Sequence, residues 1–356
     1  MTLVETLLWP ASVVYGMVGH ARRWFYRAGI LRQRTLDGVV ISVGNLTVGG
    51  TGKTPMILYL AEHLLAEGKH VAVLTRGYRG FLKGSGGNRS AAGEPGVEHE
   101  GSVDEPALLR NRVGAHPGRL ARFCVAVGAD RVARGREALS AGFDWFLLDD
   151  GFQHFKLARD LDIVLIDSSN PFGGGRLLPS GRLREEKSGL SRADMIVITR
   201  SAHAPAIEAM VRRYASAPIF YAMLRLDGIV RADEPGAVVA ENVWTPLRFF
   251  AYCGIGNPAS FFTGLREWGV TVAGTSRFPD HHIYSSGDRE RIESDAKSAG
   301  ADALICTEKD FFNFGGAWHG SLPVFYARVS LEMQNADAFW TAAGEILARR
   351  RPGISL

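Results

Sequence analysis

Apolar runs rich in β-branched residues recur at 39–43, 71–74, 123–127, 145–148, 163–166 and 195–198, with helical or loop-like stretches between several of them. Runs that are apolar on both faces are what a buried parallel sheet requires, so the first two thirds of the chain predict an α/β domain. Between 81 and 103 the apolar residues almost vanish and Gly, Ser, Asn, Glu and Pro take over, which predicts a mobile loop near a ligand entrance. After the apolar run that ends at Leu226, residues 227–245 read as a short strand-rich connection. Residues 249–253, 303–307 and 323–327 then supply the strands of a second α/β block. Its turn, Gly254-Ile255-Gly256-Asn257-Pro258, is half of a dinucleotide fingerprint, but Ala259 stands where the third glycine belongs. A tight turn with Asn257 or Pro258 opening the next helix is the better reading.

The strongest chemical signal follows the first strand. Gly44-Asn45-Leu46-Thr47-Val48-Gly49-Gly50-Thr51-Gly52-Lys53-Thr54 leads from an apolar run into a helical pattern that starts near Pro55. Such a strand, glycine-rich turn and helix make a nest of backbone N–H groups at a positive helix end, where Lys53 reaches β and γ phosphates and Thr54 holds Mg²⁺. Thr47 replaces the first glycine of the usual pattern, while Gly49 and Gly50 keep the loop free of Cβ clashes.

A second strand, 146–148, ends in Asp149-Asp150. A carboxylate at the carboxyl end of a parallel strand faces such a phosphate loop and can hold Mg²⁺ directly or through water, although one of the pair could instead cap the following turn. Asp104 precedes a helix, as a helix cap would, and could also activate an acceptor hydroxyl, as could His281 or His282; adjacent histidines point in different directions, so at most one faces a site. Arg76, Arg79, Arg131, Arg176, Arg182 and Arg184 gather near these motifs. Of these, Arg176 and Arg182 lie in glycine-rich turns suited to phosphate oxygens.

Composition adds bounds. With 356 residues the chain has room for two domains, and a formal net charge of +4 permits anionic partners without demanding nucleic acid. Cys124, Cys253 and Cys306 lie far apart in apolar runs, which suits buried thiols better than a disulfide or zinc site. The amino-terminal stretch is mostly apolar from 3 to 18 but is broken by Glu5, Pro10 and Gly16, and is short for a bilayer span. Arg22, Arg23, Arg27, Arg32 and Arg34 follow, interleaved with Trp24, Phe25 and Tyr26. This suits an anionic headgroup layer as well as a packed helix with solvated arginines.

The phosphate loop, Thr75-Arg76-Gly77-Tyr78, Asp104-Glu105-Pro106, Asp149-Asp150-Gly151-Phe152-Gln153-His154, the segment from Leu177 to Glu185, Phe278-Pro279-Asp280-His281-His282 and Thr307-Glu308-Lys309-Asp310 together resemble the tetraacyldisaccharide 4'-kinases of lipid A biosynthesis, in the family's order and over most of the chain. The resemblance implies a P-loop kinase lobe (36–226), a β-ribbon linker (227–245), a smaller carboxyl-terminal α/β lobe (246–356), and an amino-terminal membrane-associated helix within 1–35. It implies transfer of the ATP γ-phosphoryl group to the 4'-hydroxyl of a tetraacylated glucosamine disaccharide 1-phosphate, at the cytoplasmic face of the inner membrane of Gram-negative bacteria. Carried over by position, Thr47 to Thr54 hold ATP, with Thr54, Asp149 and Asp150 toward Mg²⁺. Lys53, Asp104, His281 and Arg182 are catalytic, Asp104 being the base and His281 its partner from the other lobe. Arg76, Asp104, Arg131, Gln153, His154 and Arg182 line the lipid substrate site. Val103 stands before Asp104 where the family has glycine. A nucleotide-switch ATPase with a deviant loop would carry a lysine near its start, and Thr47-Val48 offers none. A non-enzymatic basic module is disfavoured by the ordered loop and acidic strand.

Overall fold

The computed structural model describes residues 3–77, 104–114, 118–235, 237–314, 320–354 and 356, so the loop expected at 81–103 lies outside the described residues. In chain order the elements are α1 (Leu3–Arg27), β1 (Val39–Asn45), α2 (Lys53–Ala66), β2 (Val71–Thr75), α3 (Asp104–Gly114), β3 (Phe123–Val127), α4 (Arg131–Ser140), β4 (Trp145–Asp149), β5 (Leu161–Asp167), β6 (Met195–Thr199), α5 (Pro205–Arg212), β7 (Ile219–Arg231), α6 (Glu241–Trp244), β8 (Arg248–Cys253), α7 (Pro258–Glu267), β9 (Thr271–Arg277), α8 (Ser286–Ser298), β10 (Ala303–Thr307), α9 (Glu308–Asn313), β11 (Val324–Met333) and α10 (Ala336–Arg350). Each apolar run of the sequence is a strand. The chain divides into two compact units, one of residues 1–75, 121–225 and 331–356, the other of 76–120 and 226–330.

In the first unit the strand order is β3-β2-β4-β1-β5-β6-β7, parallel from β3 through β7. All seven residues of β1 and of β5 are buried, as strands covered on both faces must be. One face packs Leu36, Val40, Leu74, Val132 and Phe146, the other Leu46, Phe152, Val164, Ile196 and Val211. The last helix, α10, also belongs here. Its Phe339 is fully buried, and Trp340 stacks on His63 at 3.7 Å while donating from Nε1 to the Tyr59 hydroxyl at 3.0 Å.

In the second unit β11, β10, β8 and β9 form a parallel array, and α3 packs on α9. The unit therefore takes α3 from a stretch that the sequence reading assigned to the kinase lobe. Strand β7 runs through the boundary expected at 226, and among the described residues of 227–245 an antiparallel bridge joins Val230 of β7 to Val238 ahead of the short α6.

Helix α1 is docked within the first unit by one side. The Ser12 hydroxyl donates to Leu177 O (3.1 Å) and accepts from Ser180 N–H (3.0 Å), Gly16 is so close that a Cβ would meet Leu177 Cδ1 at 2.8 Å, and Arg23 pairs with Glu185 at 2.8 Å. Leu7, Trp9, Met17, Val18 and Trp24 on its other sides are 55–72% exposed. Among the described residues no helix is long and apolar enough to cross a membrane.

Candidate active site

Strand β1 ends buried at Asn45, and the chain then pairs briefly with 182–184: Val48 N–H donates to Arg182 O (2.8 Å) and Arg184 N–H to Leu46 O (2.7 Å). Thr47 sits in this bridge opposite Leu183, its carbonyl accepting from Asn45 Nδ2 at 2.9 Å. A bridged position favours a β-branched residue, which explains why the loop departs from glycine there. Glycine is needed further on, where Gly52 caps α2 at φ 89° and its carbonyl accepts from Met56 N–H at 3.1 Å. The first turn of α2 thus opens with N–H groups that have no intrahelical acceptor, the geometry that binds phosphate. From behind, the Thr199 hydroxyl of β6 donates to Thr51 O (3.0 Å) and fixes the loop's floor.

Lys53 Nζ donates to Asn45 Oδ1 (3.2 Å) and lies 3.6 Å from Asp150 Oδ1. Arg184 grips the same carboxylate with both NH groups, at 2.5 and 2.8 Å, and also donates to the Asn45 carbonyl (3.0 Å) and side-chain oxygen. Partial burial alone would raise the Asp150 carboxyl, but Lys53 and Arg184 outweigh it and hold it well below the usual carboxylate range. Asp150 sits at φ 51°, in the left-handed region that Asp tolerates better than most residues. Its neighbour Asp149, at the end of β4, accepts from the Thr75 hydroxyl of β2 at 3.1 Å. Thr54, Asp149 and Asp150 supply only hard oxygen donors, and no cluster of three or more His, Cys, Asp or Glu forms among the described residues. That set fits Mg²⁺, which takes one or two carboxylates and completes its shell with phosphate oxygens and water.

Behind the acids, Gln153 Nε2 donates to Asn45 O (3.0 Å) and to Glu185 Oε1 (2.7 Å), and Glu185 also binds Arg192 and Arg23. A continuous polar chain therefore links α1 to the base of the phosphate loop. Arg182 caps the loop's outer edge through Nε and NH2 donated to Val48 O at 3.2 and 3.0 Å. His154 lies in a strongly basic setting: its burial, then Arg131, Arg159, Arg22 and Lys156, push the imidazole down to about 4. Its Nε2 is buried without a hydrogen-bond partner among the described residues, and Arg131 lies buried at the first position of α4, whose start Asp130 caps. A setting of clustered guanidinium and ammonium groups favours an anion. Arg76 is exposed directly after β2.

The second unit carries the other predicted pair. Asp104 opens α3; its side chain is not among those described. His281 N–H donates to Gly254 O (3.1 Å), and its Nε2 lies 3.0 Å from Lys309 Nζ. His282 is a structural residue: its Nε2 meets Asp288 at 3.0 Å, within the capping box of α8, and its ring stacks on Phe278. Asp104 and His281, expected from different lobes, fall in the same compact unit, which comprises residues 76–120 and 226–330.

Thr307-Glu308-Lys309-Asp310 binds this unit together. Buried Asp310 accepts from Gly254 N–H (2.8 Å), Tyr284 Oη (2.8 Å) and Thr307 Oγ1 (2.6 Å). Glu308, raised to about 7 by burial that Arg112 and Arg328 only partly offset, lies 3.7 Å from each of those arginines. The half-fingerprint turn at 254–258 is thus a packed turn, with Asn257 capping α7 through Ser260 N–H. The roles of Thr75, Glu185 and Thr199 went unread in the sequence because each acts through a partner distant in the chain, whereas Asn45, bonded to nearby Thr47 and Lys53, lay inside the loop motif with no role assigned to it. Lys309 was visible only as part of a motif.

A family model described as tetraacyldisaccharide-1-P 4'-kinase matches residues 4–347. The tetraacyldisaccharide 4'-kinase of Geobacter metallireducens is 42% identical over 347 residues, covering 94% of this chain and 95% of the relative. That of Geobacter sulfurreducens is 41% identical over 338 residues, covering 94% and 91%. Among solved structures, LpxK from Aquifex aeolicus in complex with ATP superposes with a TM-score of 0.70 at 28% identity, over 97% of this chain and all of that one.

Proposed function

The chain belongs to the tetraacyldisaccharide-1-phosphate 4'-kinase family, and from that premise we propose that it transfers the γ-phosphoryl group of ATP to the 4'-hydroxyl of a tetraacylated glucosamine disaccharide 1-phosphate. The observation that carries the reading is the cradle itself: the left-handed Gly52 cap at the head of α2, with Lys53 poised between Asn45 and Asp150. In phosphoryl transfer the protein supplies positioning and charge neutralisation more than covalent chemistry. The residues from Thr47 to Thr54 wrap the ATP phosphates, Lys53 leaving Asp150 for the β and γ oxygens. Arg182, seated on Val48, neutralises charge that builds on the transferring group. Thr54, Asp149 and Asp150 are the groups that would hold Mg²⁺, which when bound draws off phosphate charge; Asp150 also holds Arg184 and Lys53 in place.

Asp104 accepts the proton of the 4'-hydroxyl, with His281 as its partner. Arg131 and His154 take the 1-phosphate of the acceptor, with Gln153 and Arg76 on sugar or phosphate oxygens. The acyl chains stay at the inner-membrane surface, on its cytoplasmic side, where the exposed apolar flank of α1 lies among the headgroups. A groove of about 770 Å³ beside α1, lined by Trp9, Val13, Leu177, Leu183 and Tyr214 with Arg176 and Lys187 at its rim, suits an acyl chain next to an anionic headgroup. The test is transfer of label from [γ-³²P]ATP to the lipid disaccharide. ATP consumption that proceeds equally without the lipid would overturn the reading.

A further inference from the structure

The contact between Lys309 and His281 decides which ring nitrogen of the histidine carries the proton. Two carboxylates flank the ammonium, Glu105 Oε1 at 3.4 Å and Asp280 Oδ1 at 3.7 Å. An ammonium has donors only, so His281 Nε2, 3.0 Å from Nζ, must accept. The single proton of the neutral imidazole then resides on Nδ1.

The backbone holds the ring to this arrangement. His281 sits at φ 58°, its N–H is bound to Gly254 O, and Gly254 N–H is bound to fully buried Asp310. A Cβ on residue 254 would come within 2.9 Å of Pro279 O, so this turn admits only glycine. A residue other than glycine held in the left-handed region by buried hydrogen bonds is a form of strain that fixes functional side chains.

We infer that Lys309 is a positioning residue for phosphoryl transfer: it locks His281 as the Nδ1–H tautomer, so that the ring offers an N–H donor to the catalytic carboxylate and is closed at Nε2 as a proton acceptor. The inference rests on the reading of Asp104 as base and deepens it. The proton of the acceptor hydroxyl goes to the carboxylate, and the histidine orients that carboxylate without taking the proton itself.

Long-range ¹H–¹⁵N NMR of full-length protein labelled at histidine reads the tautomer, with His281 identified by the signal lost in His281→Gln. The wild type should show Nδ1–H, and Lys309→Met should move His281 toward Nε2–H. In the same variant kcat should fall about 10- to 100-fold, part of the ~10²- to 10⁴-fold that a positioned base supplies, with KM for ATP changed less than about twofold. Lys309→Arg keeps a charged donor and should recover most of the rate. Glu105→Gln removes the tie from Lys309 to α3 and should leave the tautomer in place; loss of tautomer and rate in that variant would mean that Lys309 acts only by docking the helix. An Nε2–H tautomer in the wild type, or wild-type kcat in Lys309→Met, also overturns the inference. Should Asp104→Asn keep full activity while Lys309→Met still shifts the tautomer, the base assignment fails and the hold of Lys309 on the ring stands.

Discussion

Lys53 lies against the oxygens of Asp150 and Asn45, the kind of acceptors that phosphate oxygens also offer an ammonium. Lys53→Ala should therefore abolish transfer, by about 10²-fold or more as for other transition-state donors, while thermal melts stay close to wild type because the side chain is partly exposed and outside any core; near-normal turnover would refute the loop assignment. Asp104→Ala should lower kcat far more than it raises KM for ATP, and His281→Ala should add little on top of it, because residues acting as a unit give non-additive losses. A fully multiplicative double mutant would separate them. His154 gives a pH test. Its folded pKa of about 4 lies below the ordinary 6.5, so its contribution to stability is present above 6.5 and fades as pH falls toward 4. His154→Gln should flatten that part of the stability curve, and inorganic phosphate bound beside Arg131 should raise the His154 pKa measured by NMR. A titration unmoved by phosphate would refute anion binding at this basic cluster.

At the scale of elements, strands β1, β2, β4, β5 and β6 were legible because a strand covered on both faces must be apolar throughout, and the phosphate loop because its glycines mark backbone that other residues avoid. The fold class and the part of the candidate site proposed on β1, α2 and β4 could thus be read directly. What stayed hidden depends on contacts remote in sequence. The Glu185 hub joins Arg23, Gln153 and Arg192, and α3 packs on α9 across a gap that no periodicity spans. Helix α1 showed its aromatic and arginine-rich character but not its docking through Ser12, Gly16 and Arg23. Removing residues 1–35 should release the enzyme from anionic vesicles and raise the apparent KM for the lipid, with ATP affinity largely kept. Salt should reverse vesicle binding only in part, since apolar contact is not screened as charge is. Equal flotation of full-length and shortened protein would make α1 a packing helix alone.

At the scale of the molecule, the chain passes between its two units at 75/76, 120/121, 225/226 and 330/331. A fragment cut at the boundaries suggested by sequence, 246–356, would keep α9 but lose α3, leaving Glu308 buried without Arg112, and would carry α10 without the partners of Phe339 and Trp340. It should fail to melt cooperatively, and so should 36–226, since removing a fully buried aromatic such as Phe339 by itself costs about 3–5 kcal/mol. Circular dichroism melts of the two fragments check this, and a sharp transition in either would contradict the interleaving. The same four crossings bear on synthesis. On the ribosome α3 emerges long before the strands and helix that receive it, by on the order of ten seconds or more at about 5–20 residues per second. The first unit, for its part, gains α10 only after the second unit's segment 226–330 has been made. Each unit therefore completes its packing only after a segment of the other has been made, so apolar surface such as Leu108, Leu109 and Val113 of α3 stays uncovered in the nascent chain for that interval.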